Sequence, residues 1–213
     1  TAQLVLRTID DIKGGNTGGL FSAAFDFAGV TTSSGTTDPT PLPTVNGLIF
    51  SNFTAIGVGT NSSGAGRFSF SGWPLGATNG SDVFTGDIDL TKYFEVVITP
   101  LSGKKLDLTK LTFTLQRSGT GIRQYAVRSG LDAFNTNLPA SIDPDNTNLA
   151  VVSTNVFQVN DAVSNAQNGS TISFGNSFKK LTVPITLRFY GFNSESSGGT
   201  FSIDNVVIEG KVY

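Results

Sequence analysis

The chain of 213 residues carries a formal net charge of -2, with 14% charged and 38% hydrophobic residues. It contains no Cys, Met or His, which excludes disulfides, thiolate metal sites and catalysis through an imidazole. The slight negative charge argues against a nucleic-acid partner, because no basic patch is available to displace counterions from phosphates. The sequence has no run of about 18 apolar residues, so it predicts no membrane-spanning helix.

Strand-forming runs recur along the whole chain and are separated by clusters of Gly, Ser, Asn and Pro. In chain order, the predicted strands are residues 3–9, 20–27, 47–58, 67–73, 93–100, 111–118, 124–131, 151–159, 171–174, 184–192 and 201–213. Residues 31–44 are rich in Pro and Thr and are predicted to form an extended surface loop. Only 131–134 and 161–167 have the composition of short helical turns.

Alternation of apolar and polar residues is clean in several of these runs. In residues 184–192, Ile185, Leu187 and Phe189 are predicted to face the core, whereas Arg188 and Tyr190 face solvent. Many strands with one solvent-exposed face indicate two antiparallel sheets packed face to face. We therefore predict an all-β fold, a single antiparallel β-sandwich of jelly-roll type spanning residues 1–213.

The chain opens with Thr-Ala-Gln and has no initiator Met, which fits the small-residue neighbourhood of a signal-peptide cleavage site. Paired carboxylates are the chemistry left for an enzyme without His or Cys, but the spacing of the acidic residues singles out no pair. The sequence thus predicts a non-enzymatic protein that is extracellular or at the cell surface after signal-peptide removal.

Four stretches together resemble a known kind of domain. They are SGW (71–73), YFEVVITPLSGKKLDLTKLTFTLQRSGTG (93–121), YAVRSGLDAF (125–134) and PITLRFYGFNSESSGGTFSIDNVVIEGKV (184–212). This order is similar to jelly-roll β-sandwich domains of secreted, surface-sorted bacterial proteins, which often lie beside lamin-tail or carbohydrate-binding modules. The resemblance implies an extracellular location more directly than it implies an activity.

Carbohydrate-binding modules of this kind often hold a structural Ca²⁺ through Asp side chains near the chain ends. The resemblance therefore implies Asp204 as a calcium ligand, with Asp26 or Asp10 as its partner. The loop at residues 143–148 also gathers acidic and amide side chains, but it lacks the Gly and the terminal Glu of an EF-hand loop. A structural Ca²⁺ is the one cofactor that the sequence suggests.

Sugar recognition uses flat aromatic faces together with fixed hydrogen-bonding groups. The residue types that suit an exposed sugar-binding face here are Trp73, Arg117, Tyr125, Arg128, Arg188 and Tyr190. These residues define one functional hypothesis, in which the chain is a carbohydrate-binding or adhesive module with a polysaccharide partner.

A competing hypothesis concerns self-assembly. Leu4, Val5, Leu6 and Ile9 lie in a short, apolar, strand-prone segment at the N-terminus, and the Gly-rich residues 12–19 connect this segment to the rest of the chain. This layout suits β-strand addition, in which residues 1–12 of one copy complete the sheet of another. Contacts of this kind that do not close produce filaments. The leading prediction is a subunit of an extracellular homopolymer.

Overall fold

The computed structural model describes residues 19–213, which contain thirteen strands and three single-turn 3₁₀ helices. The strands are β1 (Gly19–Phe25), β2 (Leu48–Phe50), β3 (Thr54–Ile56), β4 (Phe68–Ser71), β5 (Tyr93–Pro100), β6 (Leu106–Arg117), β7 (Ile122–Ser129), β8 (Ala140–Ile142), β9 (Leu149–Val152), β10 (Val156–Val159), β11 (Gln167–Ser173), β12 (Ile185–Ser194) and β13 (Thr200–Val212). In this part of the chain no helix is long and apolar enough to cross a membrane.

The strands form two antiparallel sheets. The first has the order β1-β13-β6-β11-β8, with β4 also paired to β13, and the second has the order β2-β5-β12-β7-β10-β9, with β3 also paired to β5. Along the chain, β1, β5, β6, β7, β10, β11, β12 and β13 pass between the sheets in the sequence of a jelly roll. The predicted all-β sandwich is confirmed.

Strict alternation in β5 shows how these sequences form strands with one buried face. In YFEVVITP every second residue is buried, and Phe94, Val96 and Ile98 are fully enclosed. Aromatic rings fill the space between the sheets around Phe94: Phe201 stacks on it at 5.1 Å and Phe68 meets it edge-on at 4.9 Å. The core is therefore continuous from one sheet to the other.

Two predicted strands are each divided in the structure. Residues 47–58 form β2 and β3, and residues 151–159 form β9 and β10, which pair with each other. The break in the second case is a 3₁₀ turn at Ser153–Asn155, where Thr154 and Asn155 have left-handed backbone angles (φ 58° and 59°). A turn of this kind reverses the chain, which a run of strand-forming residues does not reveal.

The outer face of the second sheet is partly covered by the chain itself. Phe192 and Ala126 point away from the sandwich core and form a small separate apolar cluster with Val156. Ile88, from the long connection between β4 and β5, packs against this cluster, as does Val152. The connection at residues 72–92 therefore serves as a third layer over part of this sheet.

Candidate functional site

Four of the six side chains predicted to form an exposed sugar-binding face are buried: Trp73, Arg117, Tyr125 and Tyr190 are each at most 2% exposed. Trp73 donates its indole N–H to the Phe70 carbonyl at 2.7 Å and packs edge-on against Phe94 and Phe201. The expectation that these residues form one exposed face is wrong, because Trp73 and Tyr125 belong to the core between the sheets, and Arg117 and Tyr190 are covered by other side chains.

Tyr125 is fully enclosed, and its hydroxyl shares a hydrogen bond of 2.8 Å with the Ser170 hydroxyl across the two sheets. Burial raises the pKa of Tyr125 far above its ordinary value, so the phenol stays neutral. Its ring stacks on Phe157 at 4.8 Å. Tyr125 is therefore a core residue with a satisfied polar group.

Arg188 and Tyr190 lie on the outer side of β12, as the alternation predicted, but neither presents a free face. The Arg188 guanidinium is sandwiched between the Tyr93 and Phe134 rings, at 3.9 and 3.8 Å from their centres, and its Nε donates to Glu95 at 2.7 Å. Tyr190 lies beneath Tyr93 and Arg128, and burial raises the pKa of its hydroxyl. These contacts cover the outer faces of Arg188 and Tyr190, so neither side chain offers a flat surface to a ligand.

Arg128, another of the predicted residues, lines a concave surface. A cleft of about 290 Å³ lies over the outer face of β7 and β12, between the loop at residues 84–88 and the turn at 152–154. We call it the cleft hereafter. Gln124, Arg128, Asn137 and Asn193 provide most of its polar lining. The two loops stand on opposite sides of a rigid sheet floor.

The polar groups of the cleft hold one another in place. Arg128 Nε donates to Asn137 Oδ1 at 2.7 Å, and the Asn137 amide donates to the Thr154 carbonyl at 2.8 Å. Asn193 donates to Gln124 Oε1 at 2.7 Å and accepts the Gly86 N–H at 2.8 Å. Each loop is therefore fastened to the sheet by an asparagine.

Sequence reasoning missed Gln124, Asn137 and Asn193 as site residues. Their amides are separated by long stretches of chain and fit no motif, so only the fold brings them together. Asn193 adopts a left-handed backbone (φ 54°) near the end of β12, a conformation that Asn tolerates but that its residue type alone does not predict.

A buried ion cluster anchors the loop on one side of the cleft. Arg123 is fully enclosed and forms ion pairs with Asp161 (2.7 Å) and Asp82, while its guanidinium also donates to the Ser81 carbonyl. Arg117 pairs with Glu195 at 2.6 Å, and burial raises the pKa of that carboxyl despite the pairing. The pairing with Glu195 accounts for the buried position of the Arg117 side chain.

Of the predicted calcium ligands, Asp26 and Asp204 lie near each other, close enough for their carboxylates to interact. Burial raises the pKa of Asp204, and repulsion from the Asp26 carboxylate adds to the rise, while the Arg67 guanidinium opposes it. Among residues 19–213 no group of three or more acidic side chains is arranged to hold a metal ion. Asp10, the alternative partner, lies outside the described residues.

Within residues 19–213, β1 is the outermost strand at one end of the first sheet. β1 pairs with β13 through seven consecutive residues, from Gly19 opposite Val212 to Phe25 opposite Val206, without a bulge. Within residues 19–213 no strand pairs with the opposite edge of β1. The predicted assembly residues Leu4, Val5, Leu6 and Ile9 lie outside the described part of the chain.

Comparison with known proteins identifies no family: no family model matches, and no curated protein matches. Among solved structures, the chain is similar to two cleaved adhesin domains of Lys-gingipain from Porphyromonas gingivalis. One is 14% identical (TM-score 0.42; 90% of this chain, 99% of that chain), and the other is 19% identical (TM-score 0.38; 90% and 98%). It is also similar to an arabinose-bound α-L-arabinofuranosidase, at 12% identity and a TM-score of 0.41, over 91% of this chain and 27% of that one.

Proposed function

We propose that this chain is a non-enzymatic structural subunit of an extracellular filament or surface matrix, assembled by β-strand addition between copies. The observation that carries the proposal is the outer edge of β1, which no strand among residues 19–213 covers. Each exposed edge residue of a strand offers backbone N–H and C=O groups to an incoming strand. In this proposal the incoming strand is the N-terminal segment of a second copy.

The composition of β1 supports this role. Its sequence, GLFSAAF, contains no charged residue and no Pro, and its pairing with β13 has no bulge. Charges, Pro and bulges are the features by which proteins keep an edge strand from pairing with other chains. Leu20 at the start of the strand is 86% exposed and offers an apolar contact beside this edge. The edge is therefore suited to accept a strand.

The proposed donor is residues 1–12, whose apolar side chains Leu4, Val5, Leu6 and Ile9 have the composition of a strand. Residues 13–18 contain three Gly and can span roughly 20 Å when extended, since each residue advances about 3.3–3.6 Å. A donor on this tether can reach a neighbouring copy. Since donor and acceptor lie on the same chain, the contact repeats head to tail and builds an open polymer.

The absence of Cys and Met from the whole sequence supports an extracellular, durable polymer, since these are the side chains most readily damaged by oxidation. Low charge has a related consequence. With 14% charged residues, copies of the chain repel one another weakly when they pack closely.

The test is the mass in solution of the full chain and of a variant lacking residues 1–12, measured by sedimentation velocity. We expect the full chain to sediment as a polydisperse polymer and the shortened chain to sediment as a monomer with an unchanged circular-dichroism spectrum. A full chain that is monomeric at all concentrations would contradict the proposal, as would polymers that persist after the deletion.

A further inference from the structure

We propose that the cleft on the second sheet binds the ring of a neutral sugar. This inference rests on the geometry and chemistry of the cleft and does not depend on assembly through β1. The cleft is concave, its floor is a pair of hydrogen-bonded strands, β7 and β12, and its walls are two fixed loops. Binding sites for small molecules have this shape and are largely formed before the ligand arrives.

The charge of the cleft favours an uncharged ligand. Arg128 and Asp87 are the two ionisable residues that line it, so the lining carries one positive and one negative charge. A phosphate or carboxylate ligand would be repelled by the Asp87 carboxylate, and a cationic ligand would be repelled by the Arg128 guanidinium. A neutral ligand with many hydroxyl groups can hydrogen-bond to both side chains, since the carboxylate accepts and the guanidinium donates strong hydrogen bonds.

The remaining polar groups match hydroxyls. Gln124, Asn137 and Asn193 each present a carboxamide, which has two donor hydrogens and an acceptor oxygen. A sugar hydroxyl is also both a donor and an acceptor, so the pair can form two hydrogen bonds at once. The contacts within the cleft use some of this capacity and fix the amide orientations, which lowers the entropy lost when a ligand binds.

Apolar groups complete the lining. Phe84 and Ile88 are half-buried in the loop on one side, and Ile88 packs against the buried ring of Phe192 from β12. The C–H face of a sugar ring packs against such surfaces while its hydroxyls meet the amides. The volume of about 290 Å³ lies at the lower end of the range for ligand pockets, which suits one ring and not an extended chain.

The backbone of the cleft is strained at one lining residue, Thr154, since the left-handed conformation is unfavourable for Thr but is tolerated by Asn. Thr154 and Asn193 both have left-handed backbones, at φ 58° and 54°. For Thr, which is β-branched, this conformation is a genuine outlier. Strain of this kind persists where the surrounding structure enforces it, and it is concentrated at ligand-binding and other functional sites.

The test is isothermal titration calorimetry of the full chain with glucose, galactose, mannose and N-acetylglucosamine, and with the charged glucose 6-phosphate, glucosamine and galacturonate. We expect saturable heat from at least one neutral sugar and weaker binding of its charged counterparts. Ser153→Trp places a ring in the cleft from an exposed position and should abolish binding. Asp87→Ala should weaken binding about tenfold, the effect of losing a hydrogen bond to a charged group.

Ser102→Trp is the matched control, because Ser102 is exposed and lies outside the cleft. It should bind sugar like the unmodified chain, and all three variants should keep its circular-dichroism spectrum. The proposal is wrong if no neutral sugar gives saturable heat, if only charged sugars bind, or if folded Ser153→Trp binds as well as the control. Unchanged sedimentation of Ser153→Trp would separate this result from the assembly proposal.

Discussion

One pair of buried hydroxyls between the sheets, on Tyr125 and Ser170, depends on a single mutual hydrogen bond, and its removal has a calculable effect. The Tyr125 and Ser170 hydroxyls share a bond in a fully enclosed place between the sheets. Tyr125→Phe leaves the Ser170 hydroxyl without that partner, and we expect the free energy of unfolding to fall by about 1–3 kcal/mol. Urea denaturation measures the loss.

Ser170→Ala provides the complementary test of the same bond. The double variant, Tyr125→Phe with Ser170→Ala, removes both polar groups and should lose clearly less stability than the sum of the two single losses. Strictly additive losses would show that the two hydroxyls do not depend on each other.

Asp132 gives the stability a pH dependence. Its carboxylate accepts hydrogen bonds from the Thr136 hydroxyl and, at 3.0 Å, from the Thr136 N–H, and these hold the pKa of Asp132 below its ordinary value of 3.8. A carboxyl with a lowered pKa stabilises the fold above its unfolded pKa, and that contribution is lost as the pH falls through the folded pKa. The loop it orders carries Phe134, which covers Arg188.

We therefore expect Asp132→Asn to cost about 1 kcal/mol at neutral pH and progressively less on acidification. The measurement is the urea midpoint of both proteins at about pH 6, where the carboxylate is charged, and at about pH 2, where the carboxyl takes up its proton more readily in the unfolded chain than in the folded one. A difference between the two proteins that is equally large at both pH values would contradict this role for the Asp132 charge.

At the scale of secondary-structure elements, β1 is the strand that decides how the chain meets its neighbours. Ser22 and Ala24 are exposed on it, and a Lys at either position places a charge on the edge strand. Because a charged edge strand resists pairing with another chain, we expect Ser22→Lys and Ala24→Lys to remain folded and to stop assembly. Sedimentation velocity reports the loss of polymer.

Val183→Lys is the control for these variants. Val183 is 56% exposed and lies in the loop before β12, so it changes the net charge equally without touching β1. It should polymerise like the unmodified chain. If the three lysine variants behave alike, the effect comes from charge in general and β1 is not the acceptor.

The positions of the strands were largely predictable from the sequence, but the side chains that pack over the outer face of each strand were not. Alternation placed Arg188 and Tyr190 on the outer side of β12 correctly. Tyr190 is nevertheless buried, because Tyr93 and Arg128 close over it, and these come from strands that are distant in sequence. Alternation of apolar and polar residues shows which side of the sheet a side chain lies on. Whether that side chain is exposed depends on the other parts of the chain that pack over it.

The same limit applies to the candidate sites. The run at residues 20–27 predicts β1 closely, but no local signal distinguishes an edge strand without charges from a strand inside a sheet. The cleft joins side chains from two strands and two loops, so it has no pattern in the sequence. Arg128 was identified by its residue type, which is why it alone of the predicted sugar-binding set lines the cleft.

For the molecule as a whole, the two proposed surfaces are on different sheets. The acceptor edge belongs to the first sheet, and the cleft opens on the outer face of the second sheet. Pairing through β1 would therefore leave the cleft open on every copy in a polymer. Many weak sites on one assembly bind with an avidity that exceeds the affinity of each site. An adhesive filament is a natural combination of the two proposals.

The most direct test of the central claim is electron cryo-microscopy of the purified full chain. The account predicts regular filaments in which an additional strand runs along the outer edge of β1 and continues, through the Gly-rich residues 13–18, into a neighbouring copy. Dispersed monomers, or filaments in which every N-terminal segment pairs with β1 of its own chain, would contradict assembly by strand addition.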